Sequence, residues 1–367
     1  MGKVKRRKTK MVKIGKVKIG GDAPIVVQGM VKTNTENTTS TIAQSKKLIR
    51  AGAKIIKIAL PDMMAVRALS KIKDRIDAPL VADVFNYELA LGALKQGINK
   101  VTVNPENISN KEMSRILKKA KEKKVSLCIE INSSSLEKKF FSGGKEVEKY
   151  RKAVAEEVVK NTLSTTEFLE KENFSDIIIY LKTSDALTTT LSYQLLSDKI
   201  SYPFHLEIPS ATSSTQDIIR SSISTGTLLF QGIGDIIRVS LANEPVGEVK
   251  SNPITEVKVG YEILKALSLS KKGPVLVSCP TCGRCHTDLE EIVRKVLCGI
   301  EGIEAPLKIA VMGCEVNGPG EAKDADIGIA CTKWGGVLFK KGKLLRKIRG
   351  KDIARVLIEE AKKMSSS

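Results

Sequence analysis

Apolar and polar positions alternate along the first two thirds of the chain in a pattern that predicts short strands separated by amphipathic helices. Each strand candidate is a nearly continuous apolar run, which is typical of a parallel sheet because both of its faces are buried. The strand candidates are Ile25 to Met30, Lys54 to Leu60, Leu80 to Val84, Lys100 to Pro105, Ser126 to Asn132, Asp176 to Lys182, Phe204 to Pro209 and Asp235 to Leu241. Eight strand and helix units in this order predict an α/β fold, with a parallel (β/α)8 barrel of TIM type over residues 1–267. An open, doubly wound sheet is the alternative.

The pattern changes after a polar linker at residues 268–273. Short strands are predicted at Val275 to Ser278, at Lys308 to Gly313 and at Asp326 to Cys331, and a closing helix at Lys351 to Met364. Strands and helices of these lengths predict a small α+β domain over residues 274–367.

Polar side chains stand at the ends of most of the predicted barrel strands. They are Gln28, Lys57, Asp83, Asn104, Asn132, Lys182, His205, Arg238 and Ser240. In a barrel of this type the catalytic groups come from the carboxyl ends of the strands and from the loops that follow. Cations combined with amide and hydroxyl donors suit a ligand that carries phosphate.

Charge narrows the possible partners. Lys and Arg number 61 against 41 Asp and Glu, a net charge of +20, which favours acidic partners such as nucleic acid, anionic lipid, phosphorylated metabolites or an acidic protein. Aromatic residues make up only 4% of the chain, which argues against a surface that stacks bases. No apolar run approaches the ~18 residues of a membrane span, and lysines interrupt the region that would form a secretory signal. We therefore expect a cytoplasmic protein that binds neither membranes nor nucleic acid.

Seven cysteines are present, and six of them lie within positions 279–331. Disulfides are rare in cytosolic proteins, so clustered thiols indicate a metal or redox site. Cys279, Cys282 and Cys285 form a Cys-x-x-Cys-x-x-Cys run, and Cys314 lies in a glycine-rich loop. Zinc, with Cys285, His286 or Cys314 completing the ligands, and an iron–sulfur cluster both fit. A thioredoxin-like dithiol fits less well, because the motif does not open a helix in a βαβ unit.

Two motifs in the cysteine-rich region carry a family resemblance. They read Cys279-Pro-Thr-Cys282-Gly-Arg and Gly313-Cys314-x-Val-Asn317-Gly-Pro-Gly320-Glu321-Ala322. Matching motifs in the predicted barrel include Leu80-Val81-Ala82-Asp83, Asn104-Pro105-x-Asn107-Ile108, Lys182-x-Ser184-Asp185 and Arg238-Val239-Ser240-Leu241. Together they resemble the 4-hydroxy-3-methylbut-2-enyl diphosphate synthase family of the non-mevalonate isoprenoid pathway, over nearly the whole chain.

The resemblance implies a cofactor and partners. It implies a 4Fe–4S cluster bound by Cys279, Cys282, Cys314 and the carboxylate of Glu321, whose oxygen is a weaker and exchangeable ligand. It also implies a homodimer in which the cluster domain of one subunit closes over the barrel of the other, so that active sites are shared. The electron donor would be an acidic flavodoxin or ferredoxin, and the positive charge would favour its docking.

The implied reaction opens methylerythritol cyclodiphosphate and reductively dehydroxylates it with two electrons, giving hydroxymethylbutenyl diphosphate. We predict Glu321, Lys182 and His205 as catalytic residues, with His205 a candidate proton donor. Lys182 and Arg238 would hold phosphate, Asp83 would bind a hydroxyl, and Asn104, Asn132 and Ser240 would orient the ligand. The full predicted substrate-binding set is Lys57, Asp83, Asn104, Asn132, Lys182, Arg220, Arg238, Ser240 and Asn317.

Several positions depart from the family pattern. Lys57, Thr102 and Cys128 stand where the family usually carries arginines, and the loop at 82–86 lacks the family's histidine. Pro209-Ser210 replaces a Thr-Glu pair, which removes an expected carboxylate. These departures favour, as the alternative, a divergent paralogue that applies the same cluster chemistry to a different hydroxylated substrate. A basic iron–sulfur binding or regulatory protein without turnover is a further possibility.

The remaining candidates have simpler interpretations. We expect Cys128, Cys298 and Cys331 to be core residues, and Cys285 to lie near the cluster without binding it. The alternative is that Cys285 replaces Cys314 or Glu321 as a ligand. Nine of the first 18 residues are Lys or Arg, a composition that could form a nucleic-acid arm. We expect instead that this segment packs under the barrel.

Overall fold

The computed structural model describes residues 4–133, 147–209, 213–242, 252–285, 287–314, 324–349 and 352–365. The chain forms two compact units, Met1–Ser270 and Lys271–Ser367. The division falls inside the polar linker of residues 268–273, between the two predicted domains.

The first unit is built on a closed barrel. The strands of this unit are β1 (Val12–Ile14), β2 (Val17–Ile19), β3 (Val26–Met30), β4 (Ile55–Ala59), β5 (Leu80–Asp83), β6 (Lys100–Val103), β7 (Ser126–Asn132), β8 (Ile177–Lys182), β9 (Phe204–Glu207) and β10 (Ile236–Arg238). Strands β3 to β10 are parallel, and the barrel closes because β10 pairs with both β9 and β3. The predicted eight-stranded parallel barrel is confirmed, and the open sheet is excluded.

Helices follow the barrel strands and cover the outside of the barrel. They are α1 (Thr38–Ala51), α2 (Met63–Lys73), α3 (Tyr87–Lys95), α4 (Asn110–Lys123), α5 (Val147–Lys171), α6 (Ala186–Ser197), α7 (Ser214–Phe230) and α8 (Pro253–Ala266). Short polar side chains begin several of them, since Asp62, Asn86 and Asp185 accept hydrogen bonds from backbone N–H groups of the first turn. Such caps contribute about 1 kcal/mol each and fix where the chain leaves the strand-end loops.

A basic hairpin closes the amino-terminal end of the barrel. β1 and β2 pair in antiparallel fashion, and Val12, Ile14 and Ile19 are buried against the first residues of the barrel strands. The Arg6 guanidinium lies 2.6 Å from the Asp235 carboxylate, just before β10. The basic segment therefore packs under the barrel as expected, although the hairpin itself was not predicted.

The second unit is a five-stranded sheet with helices. It contains β11 (Val275–Ser278), β12 (Lys308–Met312), β13 (Ile327–Thr332), β14 (Gly335–Lys340), β15 (Lys343–Arg349), α9 (Leu289–Gly299) and α10 (Ile353–Ser365). β11, β12 and β13 are parallel, whereas β13, β14 and β15 are antiparallel. Because parallel strands end at the same edge, the residues after β11 and β12 are brought close together. The predicted α+β unit is confirmed.

The longest helix described is α5, with 25 residues. It is amphipathic, since Val154 and Val158 are buried while Lys160 and Glu167 are exposed. Within the described ranges, no helix combines the length and apolar character needed to cross a membrane.

Candidate active site

A cavity of about 560 Å³ opens at the carboxyl ends of the barrel strands. Polar groups from β4 to β10 reach it because each of these strands carries a polar side chain at or near its carboxyl end. The polar lining residues are Lys57, Asp83, Thr102, Asn104, Asn107, Glu130, Asn132, Tyr180, Lys182, Glu207 and Arg238. The structure thus brings together six of the predicted substrate-binding residues, namely Lys57, Asp83, Asn104, Asn132, Lys182 and Arg238.

Lys57 and Asp83 form the first ion pair of this cavity. The Lys57 ammonium lies 3.0 Å from the Asp83 carboxylate, and only 4% of Lys57 is exposed. Burial by itself lowers the pKa of Lys57, but the carboxylates of Asp83 and Glu207 outweigh burial and raise it. Lys57 therefore carries its positive charge in the cavity lining.

Arg238 and Glu207 form the second ion pair. Pairing of β9 with β10 sets Arg238 opposite Glu207, and the guanidinium donates to Glu207 Oε1. Ser240 Oγ donates to the same oxygen at 3.0 Å. Burial opposes ionisation of Glu207, but Arg238 and Lys57 outweigh it and lower the pKa of Glu207 to about 2. Predicted Ser240 thus lies beside the cavity and supports Glu207.

Lys182 and Glu130 form the third, looser pair. Their charged atoms are 3.9 Å apart, and the Lys182 side chain is half-exposed while Glu130 is largely buried. β7 and β8 pair so that Asn132 lies opposite Lys182. Burial raises the pKa of Glu130, and this effect exceeds the opposite influence of Lys57 and Lys182.

A buried polar layer lies under the cavity. Lys100 Nζ donates to Gln28 Oε1 at 3.2 Å inside the barrel. His205 is 2% exposed, its ring lies 5.0 Å from that of Tyr180, and neither ring nitrogen has a hydrogen-bond partner among the described residues. Burial and the charge of Lys100 hold the pKa of His205 well below its usual range. The structure therefore places the predicted proton donor beneath the cavity, uncharged, rather than in its lining.

The other predicted site residues lie elsewhere. Arg220 is exposed on α7 and does not line the cavity. Asn317 and Glu321 lie outside the described residues, as does Ser210. Asn104 lines the cavity, and its side-chain oxygen accepts a hydrogen bond from the Glu106 N–H at 2.9 Å, which shapes the loop after β6.

Sequence reasoning missed Glu130, Glu207 and Tyr180 as lining residues. Successive side chains of a strand point to opposite faces, so residues two apart share a face. Glu130 precedes Asn132 by two residues, and Tyr180 precedes Lys182 in the same way. This alternation is the signal that identifies both, whereas the strand ends alone do not.

The candidate cluster site lies at one edge of the second unit. Cys279 follows β11 and Cys314 follows β12, and both thiols are buried. The Cys279 N–H donates to the Val311 carbonyl at 3.2 Å, which continues the pairing of the two strands up to the cysteines. Cys282 follows in the loop and is exposed. The fold thus delivers predicted ligands from two adjacent parallel strands and their loops.

The donor set at this edge suits thiolate chemistry. The backbone N–H and the side chain of Arg284 donate to the Cys282 sulfur and lower the pKa of that thiol. The same guanidinium interacts electrostatically with Cys314 and Cys279. Among the described residues, no three cysteine, histidine or carboxylate side chains converge on a position for a single metal ion. Three cysteines on neighbouring loops are a donor set that an iron–sulfur cluster can use.

The remaining cysteines have distinct environments. Cys128 is fully buried inside the barrel and Cys331 is 1% exposed, both as expected. Cys285 is half-buried, and its Sγ donates to the Thr287 carbonyl at 3.3 Å. Cys298 is exposed, so its assignment to the core was wrong. It lies near the end of α9, in a groove shared with residues of α10, so the apolar pattern in the sequence was misleading. His286 lies outside the described residues.

Comparison with solved structures concerns the barrel. Dihydropteroate synthase from Stenotrophomonas maltophilia matches 71% of this chain and 97% of its own, with a TM-score of 0.51 and 14% identity. Dihydropteroate synthase from Coxiella burnetii matches 70% of this chain and 97% of its own, with a TM-score of 0.50 and 15% identity. At this identity the similarity shows the fold alone.

The sequence comparisons cover both units of the chain. Residues 9–253 match the GcpE TIM-barrel domain, and residues 275–363 match the GcpE protein C-terminal domain. The chain is 42% identical to 4-hydroxy-3-methylbut-2-en-1-yl diphosphate synthase (flavodoxin) from Thermodesulfovibrio yellowstonii, over 98% of this chain and 100% of that relative. It is 44% identical to the enzyme of the same name from Clostridium tetani, over 97% and 99% respectively. The chain therefore belongs to the 4-hydroxy-3-methylbut-2-en-1-yl diphosphate synthase family, and has a role in isoprenoid biosynthesis.

Proposed function

We propose that the protein is a 4Fe–4S oxidoreductase that converts methylerythritol cyclodiphosphate into hydroxymethylbutenyl diphosphate. Two electrons and two protons enter, a ring C–O bond and a hydroxyl C–O bond break, and water leaves. The observation that carries this proposal is the family match over nearly the full length of the chain. The cationic groups in the cavity at the barrel mouth support it.

Cys279, Cys282 and Cys314 would hold the cluster, with Glu321 as a fourth ligand. The cluster would supply electrons to the substrate one at a time. Arg284 would stabilise the thiolate form of the cysteines, because it already donates to Cys282 and lies within electrostatic reach of the other two.

Cavity residues would bind and orient the substrate. Lys182 and Arg238 would hold the phosphates, with Lys57 adding positive charge from the same lining. Asn104 and Asn132 would donate amide hydrogen bonds, and Asp83 would accept one from a substrate hydroxyl. These groups come from different strands of one rigid barrel, so they hold the substrate without a large change in the backbone.

The electron donor would be an acidic flavodoxin. Both relatives carry the word flavodoxin in their names, and the net charge of +20 suits an acidic partner. We further propose a cytoplasmic homodimer with shared active sites. Sedimentation of the purified chain, carried out under anaerobic conditions, measures the oligomeric state directly.

Turnover tests this function. The full-length chain is reconstituted with iron and sulfide under anaerobic conditions, reduced, and offered methylerythritol cyclodiphosphate. Mass spectrometry should detect hydroxymethylbutenyl diphosphate, and the Cys282→Ala variant prepared in parallel should form none. An intact, reducible cluster without product would reject this substrate and favour another hydroxylated one.

A further inference from the structure

The barrel mouth is balanced in charge. Its lining contains three cations within the described part of the chain, and the same lining contains three carboxylates. They are Lys57, Lys182 and Arg238 on one side, and Asp83, Glu130 and Glu207 on the other. The described part of the lining therefore has no net charge, in contrast to the +20 of the whole chain.

Each carboxylate is set against a cation. Asp83 lies 3.0 Å from Lys57, Glu130 lies 3.9 Å from Lys182, and Glu207 accepts a hydrogen bond from Arg238. Opposite charges are thus paired within the protein before any ligand arrives. An incoming phosphate must share these cations with the carboxylates.

Two of the carboxylates are placed to oppose an anion most strongly. Glu207 is 9% exposed, and its Oε2 has no hydrogen-bond partner among the described residues. Glu130 is also largely buried, with 16% of its side chain exposed. Solvent screens such charges poorly, so each repels a bound anion more than a surface carboxylate would.

The substrate and the product of the proposed reaction differ in charge. In a cyclic diphosphate each phosphorus is bridged on two sides and carries one ionised oxygen. Ring opening creates a terminal phosphate, whose second ionisation has a pKa of about 6. The open-chain diphosphate is therefore more negative than the cyclic one at neutral pH.

We propose that Glu130 and Glu207 are specificity-determining residues that limit the negative charge accepted by the barrel mouth. They disfavour a ligand with a terminal, doubly ionised phosphate relative to one whose phosphates are singly ionised. The inference rests on the proposed function for the cyclic ligand. It adds a physical reason for the opened product to leave.

Calorimetric binding of inorganic pyrophosphate tests this inference. The full-length, cluster-loaded chain is titrated without reductant at about pH 8, where terminal phosphates are doubly ionised. Glu130→Gln should bind pyrophosphate about tenfold more tightly than the unchanged chain, because a buried like charge is removed. Its affinity for methylerythritol cyclodiphosphate should rise less, since repulsion scales with the charge of the ligand.

Glu122→Gln is the matched control. Glu122 is an exposed residue of α4 whose carboxylate lies 2.8 Å from Lys119, and its substitution changes the net charge equally. It should leave pyrophosphate binding unchanged. Glu207→Gln is the second variant, and thermal unfolding confirms that each variant is folded before titration.

Two results would overturn the inference. One is equal pyrophosphate affinity in the unchanged chain and in both folded cavity variants, and the other is an equal gain in Glu122→Gln. Failure of the proposed function gives a different result. In that case methylerythritol cyclodiphosphate is neither bound nor converted, while the pyrophosphate comparison among the variants is still measured.

Discussion

The barrel mouth and the cysteine edge of the second unit are built in the same way but differ in completeness. In both, parallel strands deliver polar or thiol side chains to one edge. At the barrel mouth the charged groups already satisfy one another through ion pairs. At the cysteine edge, Cys279, Cys282 and Cys314 form no single-ion site within the described ranges, and the fourth predicted ligand lies outside them.

The two sites therefore differ in whether they need a bound group to keep their geometry. A mouth that is internally paired keeps its geometry without ligand, so its residues would act mainly by selecting and orienting the proposed substrate. The cysteine edge would depend on its proposed cluster to hold its thiols together. Substitutions at the barrel mouth should therefore weaken substrate binding, whereas substitutions at the cysteine edge should prevent the cluster from assembling.

Loss of a cluster ligand should have the largest effect. Cys282→Ala should abolish the visible absorption of the reconstituted protein, because one of three thiolates is missing. Cys298→Ala is the matched control, since Cys298 is exposed on α9 and should leave the spectrum unchanged. Equal spectra in both variants would show that Cys282 is not a ligand.

Removal of the proposed phosphate-binding cations should have the second-largest effect. The double variant Lys182→Ala, Arg238→Ala should lose at least about a hundredfold in affinity for methylerythritol cyclodiphosphate, since each hydrogen bond to a charged group contributes about 1.5–3 kcal/mol. The cluster spectrum should be unchanged. Lys119→Ala, a variant at a half-buried position of α4 away from the cavity, serves as the control, and calorimetry measures the affinity. Unchanged binding would remove these two residues from the site.

Breaking the buried pair at the mouth should lower stability. Glu207→Gln leaves Arg238 charged and buried, at a cost of about 3–5 kcal/mol. The pKa of Glu207 is lowered to about 2 by Arg238 and Lys57 against the effect of burial, so its contribution is complete above about pH 4.5 and is lost as pH falls towards 2.

Thermal unfolding across that range measures this effect. The difference in melting temperature between the unchanged chain and Glu207→Gln should be greatest near neutral pH and should narrow on acidification. A difference that grows as the pH falls would contradict the assignment of the ion pair.

The smallest effect concerns the electron donor. Turnover with a reduced acidic flavodoxin should fall several-fold between low and physiological salt, because ions screen the attraction to a +20 protein. Turnover with a small chemical reductant should change little under the same conditions. Equal salt dependence with both reductants would show that charge does not guide docking.

Much of the barrel could be predicted because burial on both faces imposes a continuous apolar run on each strand. The hairpin of Val12–Ile14 and Val17–Ile19 was missed because its strands are short and rich in lysine. Its apolar positions become meaningful only once the barrel end that they cover is known.

The site could be predicted less completely. Lys57, Asp83 and Arg238 were identified because they lie near strand ends, where barrels carry their chemistry. Their pairing could not be read from the sequence, because the partners lie on different strands and depend on register. Glu207 illustrates this, since only the pairing of β9 with β10 sets it opposite Arg238.

The hairpin under the barrel also has a consequence for folding. Arg6 and Asp235 are separated by 229 positions along the chain, yet they meet beside the closing strand β10. The ribosome releases the first of these residues long before the last, so the hairpin cannot pack against a closed barrel end until β10 has been synthesised. Contacts of such long sequence separation slow folding. We therefore expect barrel closure to be a late, rate-limiting step of folding. The lysines of β1 and β2 keep the unpacked hairpin soluble until then.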